Sequence, residues 1–184
     1  MIAVLGESGC GRSSLVKSFV EKNPKYHNIV LYTTRPKRPD EKDGVDYHFV
    51  SEKAFEKLIK NDFLLVAEVW RGWFYGIPAE ECKSDKAICT ITPSMFRLIK
   101  KLGYDVSSVY LYVDRRSRLI NILSRGDDID EAYRRNLSDV GQYYGLVNET
   151  DFIITNTEYH MNLDEAVLAF KEVVDLIDED GDKE

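Results

Sequence analysis

The sequence predicts an α/β protein whose mainly parallel sheet is flanked by helices. Short apolar runs alternate with amphipathic helical stretches along most of the 184 residues, the signature of strand–helix–strand units. A glycine-rich stretch joins the first such run to the first helix. One segment, residues 33–77, breaks the rhythm: it is richer in strands, proline and charge, and reads as an inserted subdomain.

Taken in order, IAVL (2–5) is a short buried strand, and RSSLVKSFVEKN then sets Leu15, Val16, Phe19 and Val20 at helical spacing. NIVLY (28–32) reads as a second strand and YHFV (47–50) as a third, followed by a helix that Ser51 caps. FLLVAEV (63–69) is extended, and GWFYG (72–76) reads as an aromatic turn or edge strand. AICTIT (87–92) is a core strand ended by Pro93, and the helix after it stops at Gly103. SSVYLYV (107–113) and DFIIT (151–155) are further strands, with long helical patterns over 114–124, 128–147 and 162–177. The expected domain is residues 1–177, with a core of 1–32 and 78–177, and residues 178–184 form a frayed acidic tail.

Net charge is −7, which argues against a general nucleic-acid binder. No run of about 18 apolar residues exists to span a membrane, and the motif follows the first residues so closely that no signal peptide is expected. Cys10, Cys82 and Cys89 have neither disulfide nor zinc spacing. Three reduced thiols in a cytoplasmic protein are expected, with Cys10 singled out because an anion-binding loop can lower a thiol pKa.

GESGCGRSS, Gly6 to Ser14, fits G-x-x-x-x-G-K-[ST] except that Arg12 stands where lysine is usual. Glycines 6, 9 and 11 permit a tight turn whose N–H groups point inward at phosphate, and the following helix adds its positive end. Glu7, Ser8, Cys10, Ser13 and Ser14 complete this ATP-binding loop, and Ser13 is placed to hold Mg²⁺ through its hydroxyl. Arg12 keeps the charge in a planar, forked form. In the insert, Arg35, Lys37 and Arg38 crowd together, and two arginines three apart suit bidentate grip of a phosphate. Tyr47 and Tyr75 can add hydroxyl donors. Taken alone, the cluster also reads as a solvated basic loop.

On GESGCGRSS, TTRPKRPDEKDGVDYHFVS, FLLVAEV, FYG, the Arg125–Gly126 pair and DFIITN, the chain from Met1 to about residue 170 resembles the guanylate kinases and, by extension, the guanylate-kinase-like modules of scaffold proteins. The resemblance implies a P-loop NTPase-like core, a nucleoside-monophosphate (NMP)-binding insert, a helical lid over about 118–140, and ATP with Mg²⁺ as phosphate donor. It implies that Arg35, Arg38, Tyr47 and Tyr75 hold the acceptor phosphate, that Arg125 meets the donor phosphates, and that Asn156 lies near the donor adenine. Where the family reads guanine through polar side chains, this chain has Leu31, Leu65 and Ile77. Thr90 and Thr92 stand where the family's core strand ends in acid, with Thr92 facing the acceptor. Two family arginines appear as Asn121 and Asn136, with Arg118 and Arg135 close by as substitutes.

The implied activity is transfer of the ATP γ-phosphate to GMP or a related NMP by Arg12, Arg35, Arg38, Arg125 and Arg135. The alternative is a catalytically weak module that binds a nucleotide or a phosphorylated partner. Small-molecule nucleotides are the expected partners, with no membrane or nucleic acid, in a monomer or homodimer. No histidine is read as catalytic, because the acceptor phosphate itself attacks.

Overall fold

A computed structural model describes residues 1–39, 41–126 and 128–181, and the side chains of Glu131 and Arg135 lie outside that description. Among the described residues, nine strands fall into two sheets. The first contains β1 (Ile2–Leu5), β2 (His27–Asn28), β7 (Ala87–Thr90), β8 (Ser107–Tyr112) and β9 (Phe152–Thr155), all parallel, in the order β2-β7-β1-β8-β9.

Alternation along β1 explains the layering. Met1, Ala3 and Leu5 belong to one buried cluster, Ile2 and Val4 to the other, because successive side chains of a strand leave opposite faces. Helices α1 (Arg12–Lys22) and α6 (Leu163–Gly181) cover the second face through Leu15, Val16, Phe19, Val167 and Phe170. Helix α3 (Pro93–Lys101) covers the first through Met95, Phe96 and Ile99. A strand buried on both faces must be apolar throughout, which is why IAVL carries no alternation of polarity.

The second sheet contains β3 (Tyr32–Thr33), β4 (His48–Phe49), β5 (Leu64–Trp70) and β6 (Trp73–Pro78), in the order β4-β3-β6-β5. Helix α2 (Glu52–Lys60), capped by Ser51, links β4 to β5. GWFYG is therefore an inner strand, where a turn or edge strand was expected: β6 pairs with both β3 and β5. NIVLY is also not one strand. Its first residue ends β2 in the first sheet and its last begins β3 in the second, so the chain passes between sheets at Ile29–Leu31, both ends of which are buried.

Helices α4 (Arg115–Ser124) and α5 (Ile129–Asp139) follow β8. The 128–147 pattern does not make one helix: α5 stops at Asp139, Val140 is extended, and a 3₁₀ turn covers Leu146–Asn148. The acidic end differs from a frayed tail through residue 181, and residues 182–184 lie outside the described residues. Helix α6 runs to Gly181, and Asp178 accepts from Lys25 (3.0 Å), Tyr26 (2.6 Å) and Lys86 (2.9 Å), which ties the last turns to the core. Among the described residues no helix is long and apolar enough to cross a membrane.

Candidate functional site

The carboxyl ends of β1 and β7 open on a cleft of about 820 Å³, the usual position for a ligand on a parallel sheet. The glycine loop forms one end and the second sheet the opposite wall. Residues Glu7 through Ser14 all line this cleft. Gly9 has φ +87°, and a Cβ there would lie 2.5 Å from the Arg118 carbonyl oxygen, so only glycine lets the loop pack this closely on α4. The Gly9 carbonyl accepts from the Tyr159 hydroxyl and from Asn121 Nδ2 at 2.7 Å. Helix α1 begins after Gly11 with no side-chain cap, leaving its first N–H groups to face the cleft. Ser13 and Ser14 are exposed there.

The Arg12 side chain passes beside Gly6 of the loop, and its Nη1 donates to the Ile91 carbonyl, just past β7, at 2.8 Å. The planar fork of arginine suits this bond to a backbone carbonyl. Cys10 is buried, and burial pushes its thiol up despite the opposing pull of Arg12. A reactive thiolate in the loop is thereby disfavoured.

On the far wall Arg35 is buried and makes two bonds to Glu41, at 2.9 and 2.6 Å. Arg38 contributes its backbone N–H to Glu41 at 2.8 Å and its Nη1 at 3.7 Å. Burial works to raise the Glu41 carboxyl, but the Arg35 bond and the Arg38 N–H outweigh it and hold it below the ordinary range. Arg35 also lies 5.3 Å from the Tyr47 ring centroid, and the Tyr47 and Tyr75 rings meet edge to face at 5.9 Å. Arg35, Arg38, Tyr47 and Tyr75 thus form one cluster in the cleft.

The predicted acceptor-binding residues beyond that cluster divide. Leu31 and Thr92 line the cleft. Ile77 is fully buried in the core, and Leu65 packs against that same cluster. For Leu65 a β-bulge intervenes: Leu64 pairs with Pro78 while Val66 pairs with Ile77, so Leu65 is the extra residue on β5. A carboxylate does stand on the wall, at Glu68, which sequence reasoning passed over. It accepts from Thr92 Oγ1 at 2.7 Å and from Ser94 Oγ. The signal for it was the two-residue period running from Val66 through Glu68 to Trp70.

Other assignments land at different depths. Arg125 is exposed at the C-cap of α4 and lines the cleft. The Arg135 side chain lies outside the described residues. Asn156 is buried and closes on Met161 through bonds of 3.1 and 2.9 Å, away from the cleft lining. Asn136 accepts from Arg115 Nε. Arg118 is buried beneath the loop, bonding the Val113 carbonyl at 3.0 Å and pairing with Glu7 at 3.5 Å. Glu7 also accepts from the Tyr110 hydroxyl at 2.9 Å, and burial and the Glu7 charge push that phenol up. Among the described residues no cluster of three or more acids, cysteines or histidines forms a ready metal cage.

Known proteins resemble this chain in sequence and in fold. The family model described as guanylate kinase matches residues 1–176. A guanylate kinase of Hydrogenovibrio crunogenus is 34% identical over 165 residues, covering 86% of this chain and 80% of that protein. One of Vibrio vulnificus is 34% identical over 180 residues, covering 93% and 84%. Among solved structures, a guanylate kinase from Anaplasma phagocytophilum superposes with a TM-score of 0.69 at 20% identity over 96% of this chain and 85% of that one. A shikimate kinase from Bacteroides thetaiotaomicron reaches 0.55 at 15% identity, covering 95% and 97% of the two chains; at such identities these likenesses concern the fold alone. With the family model spanning nearly all of its length, the chain belongs to the guanylate kinase family.

Proposed function

We propose that this protein transfers the γ-phosphate of ATP to GMP. The observation that carries this reading is one cleft with a glycine loop at a helix N-terminus at one end and the Arg35–Arg38–Tyr47–Tyr75 cluster at the other, both suited to phosphate. Residues 33–77 then serve as the acceptor-binding insert and about 118–140 as the lid. An oxygen of the acceptor phosphate attacks the γ-phosphorus in line, the bond to the bridging oxygen breaks, and ADP leaves. Such a transfer needs positioning and charge neutralisation rather than a side-chain nucleophile.

The loop from Gly6 to Ser14 binds the donor phosphates. Arg12, held by the Ile91 carbonyl, supplies positive charge between donor and acceptor. Arg35, Arg38, Tyr47 and Tyr75 fix the acceptor phosphate, and Arg125 with Arg135 closes from the lid and excludes water. Ser13, exposed on the first turn of α1, would hold Mg²⁺ through its hydroxyl; such an ion commonly keeps substrate oxygens and water, so the lack of a protein cage among the described residues does not oppose it. When bound, the ion offsets phosphate charge.

The acceptor base is read by Glu68. Its carboxylate, oriented by Thr92 and Ser94, complements two adjacent donors, N1–H and the 2-amino group of guanine. Adenine offers one donor beside an acceptor and is disfavoured. Leu31 supplies an apolar surface for the ring. Asn156 supports the donor base through the backbone it holds. The molecule works in the cytoplasm on small nucleotides, as a monomer or homodimer and without nucleic acid; three free buried thiols suit that compartment.

ADP release from ATP and Mg²⁺ over a panel of NMPs and dNMPs tests this reading. GMP is expected to be the best acceptor, and no acceptor above the ATPase background would overturn it.

A further inference from the structure

The Asp139 carboxylate, at the last turn of α5, is buried against the glycine loop. Ser8, in the middle of that loop, donates its backbone N–H to Asp139 Oδ2 at 2.8 Å. Two guanidinium groups face the same carboxylate: Arg71 Nη2 at 3.5 Å from Oδ1 and Arg118 Nη1 at 4.0 Å from Oδ2. An inward loop N–H and two arginines converging on one anion is the donor set of a phosphoryl group. The anion present is supplied by the protein itself.

Its location identifies which phosphate it stands for. Arg71 belongs to the second sheet, at the turn between β5 and β6, while Ser8 belongs to the loop. An anion touching both lies on the border of donor and acceptor halves, where the transferred group passes. Inner phosphates have the uncapped start of α1 to themselves. Arg71 is also placed at a cost. It and Gly72 both take positive φ, 53° and 84°, as a two-residue hairpin turn requires. An arginine in that conformation is uncommon, and its side chain is only 12% exposed. Ser138 accepts from it beside Asp139, and Trp70 and Trp73 flank it.

We propose that Asp139 is a resident anion occupying the position of the donor's terminal phosphate, and that Arg71 is a catalytic cation that meets this phosphate once Asp139 yields. The inference rests on ATP being the donor. Displacement of Asp139 then couples lid movement to donor binding, because two anions cannot share one N–H and the same pair of arginines.

The probes are ATP and ADP, bound to the full chain and followed by tryptophan emission, since the chain's two tryptophans flank Arg71. In Asp139→Asn the amide oxygen can still accept the Ser8 N–H, while the competing charge is gone. ATP affinity is expected to rise about tenfold, the size of a typical site coupling, and ADP affinity to change little. Arg71→Ala is expected to lose that ATP-over-ADP preference and to lower kcat about 10²-fold, as for loss of one transition-state donor, with Arg71→Lys partly restoring it. Thermal unfolding of each variant without nucleotide checks that the fold persists. Weaker ATP binding by Asp139→Asn, equal change for ATP and ADP, or an Arg71→Ala variant with unaltered preference and kcat would overturn the proposal. A wild type that separates ATP from ADP but phosphorylates no NMP defeats the kinase reading and leaves these binding comparisons decisive here. A wild type that binds neither nucleotide defeats both.

Discussion

The two ends of the cleft are built by different means. The donor end is backbone. Its loop is fixed by Gly9 against α4, by Tyr159 and Asn121 on the Gly9 carbonyl, and by the uncapped start of α1. The acceptor end is side chains on a small sheet: Arg35 locked on Glu41, Tyr47 against Tyr75, and Glu68 bonded to Thr92 and Ser94. Backbone contacts tolerate no substitution where a Cβ has no room, whereas side-chain contacts can be exchanged one at a time. The donor loop accordingly departs from its motif only at Arg12, and the acceptor wall departs at several positions.

The comparison breaks most completely at Gly9. Gly9→Ala puts a Cβ 2.5 Å from a backbone oxygen at φ +87°. The left-handed backbone alone costs about 1–2 kcal/mol, and the overlap adds to it. Loss of ATP binding together with a lower unfolding temperature is expected; calorimetry with and without ATP reads both. Arg35→Ala is expected to act at the other end alone. Transfer should fall by about 10²–10³-fold, the range for removing a charged donor, while ATP binding by titration calorimetry stays near wild type. If ATP binding fell in parallel, the two ends would not be separable.

Glu68→Gln sharpens the same comparison. Glutamine presents one acceptor and one donor, which suits adenine better than guanine, and both hydroxyl bonds can persist. The GMP-to-AMP ratio of kcat/KM is expected to drop about tenfold or more, in line with about 1–3 kcal/mol for one mismatched buried polar group. An equal loss for both acceptors would reduce Glu68 to a tie between β5 and α3.

Much of this was legible in the sequence. The loop motif, its flanking strand and helix, and the arginine–tyrosine cluster are local patterns, and the structure brings them to one cleft. What escaped depends on register or on distant pairing. No local signal shows that a bulge between Leu64 and Val66 carries Leu65 into the packing, so a glutamate there is expected to destabilise the fold rather than restore guanine contacts. Arg71 and Asp139 lie in unrelated segments, and their meeting follows only from how the second sheet packs beside α5. The split of NIVLY between two sheets was hidden because both halves are apolar and extended.

The smallest expected effect is on acid stability. Glu41 and Asp178 are held low by their cationic and hydroxyl partners against the effect of burial, and Asp114 is held to about 2 by the Glu158 N–H and by the Ser117 side chain and N–H. Depressed carboxyl pKa values contribute stability above the unfolded values and lose it as pH falls through the folded ones. The unfolding temperature should therefore be flat near neutrality and fall from about pH 4.5 toward 2. Asp178→Asn is expected to shallow that fall, and a slope unchanged by the substitution would remove Asp178 from the account.

The central claim is that both phosphate-binding ends serve one cleft at the same time. Adenosine and guanosine joined through five phosphates would span it. Competition titration of that compound should show one molecule per chain, binding more tightly than ATP or GMP and excluding both. A compound that displaced only one of the two nucleotides, or bound no more tightly than ATP, would contradict the claim.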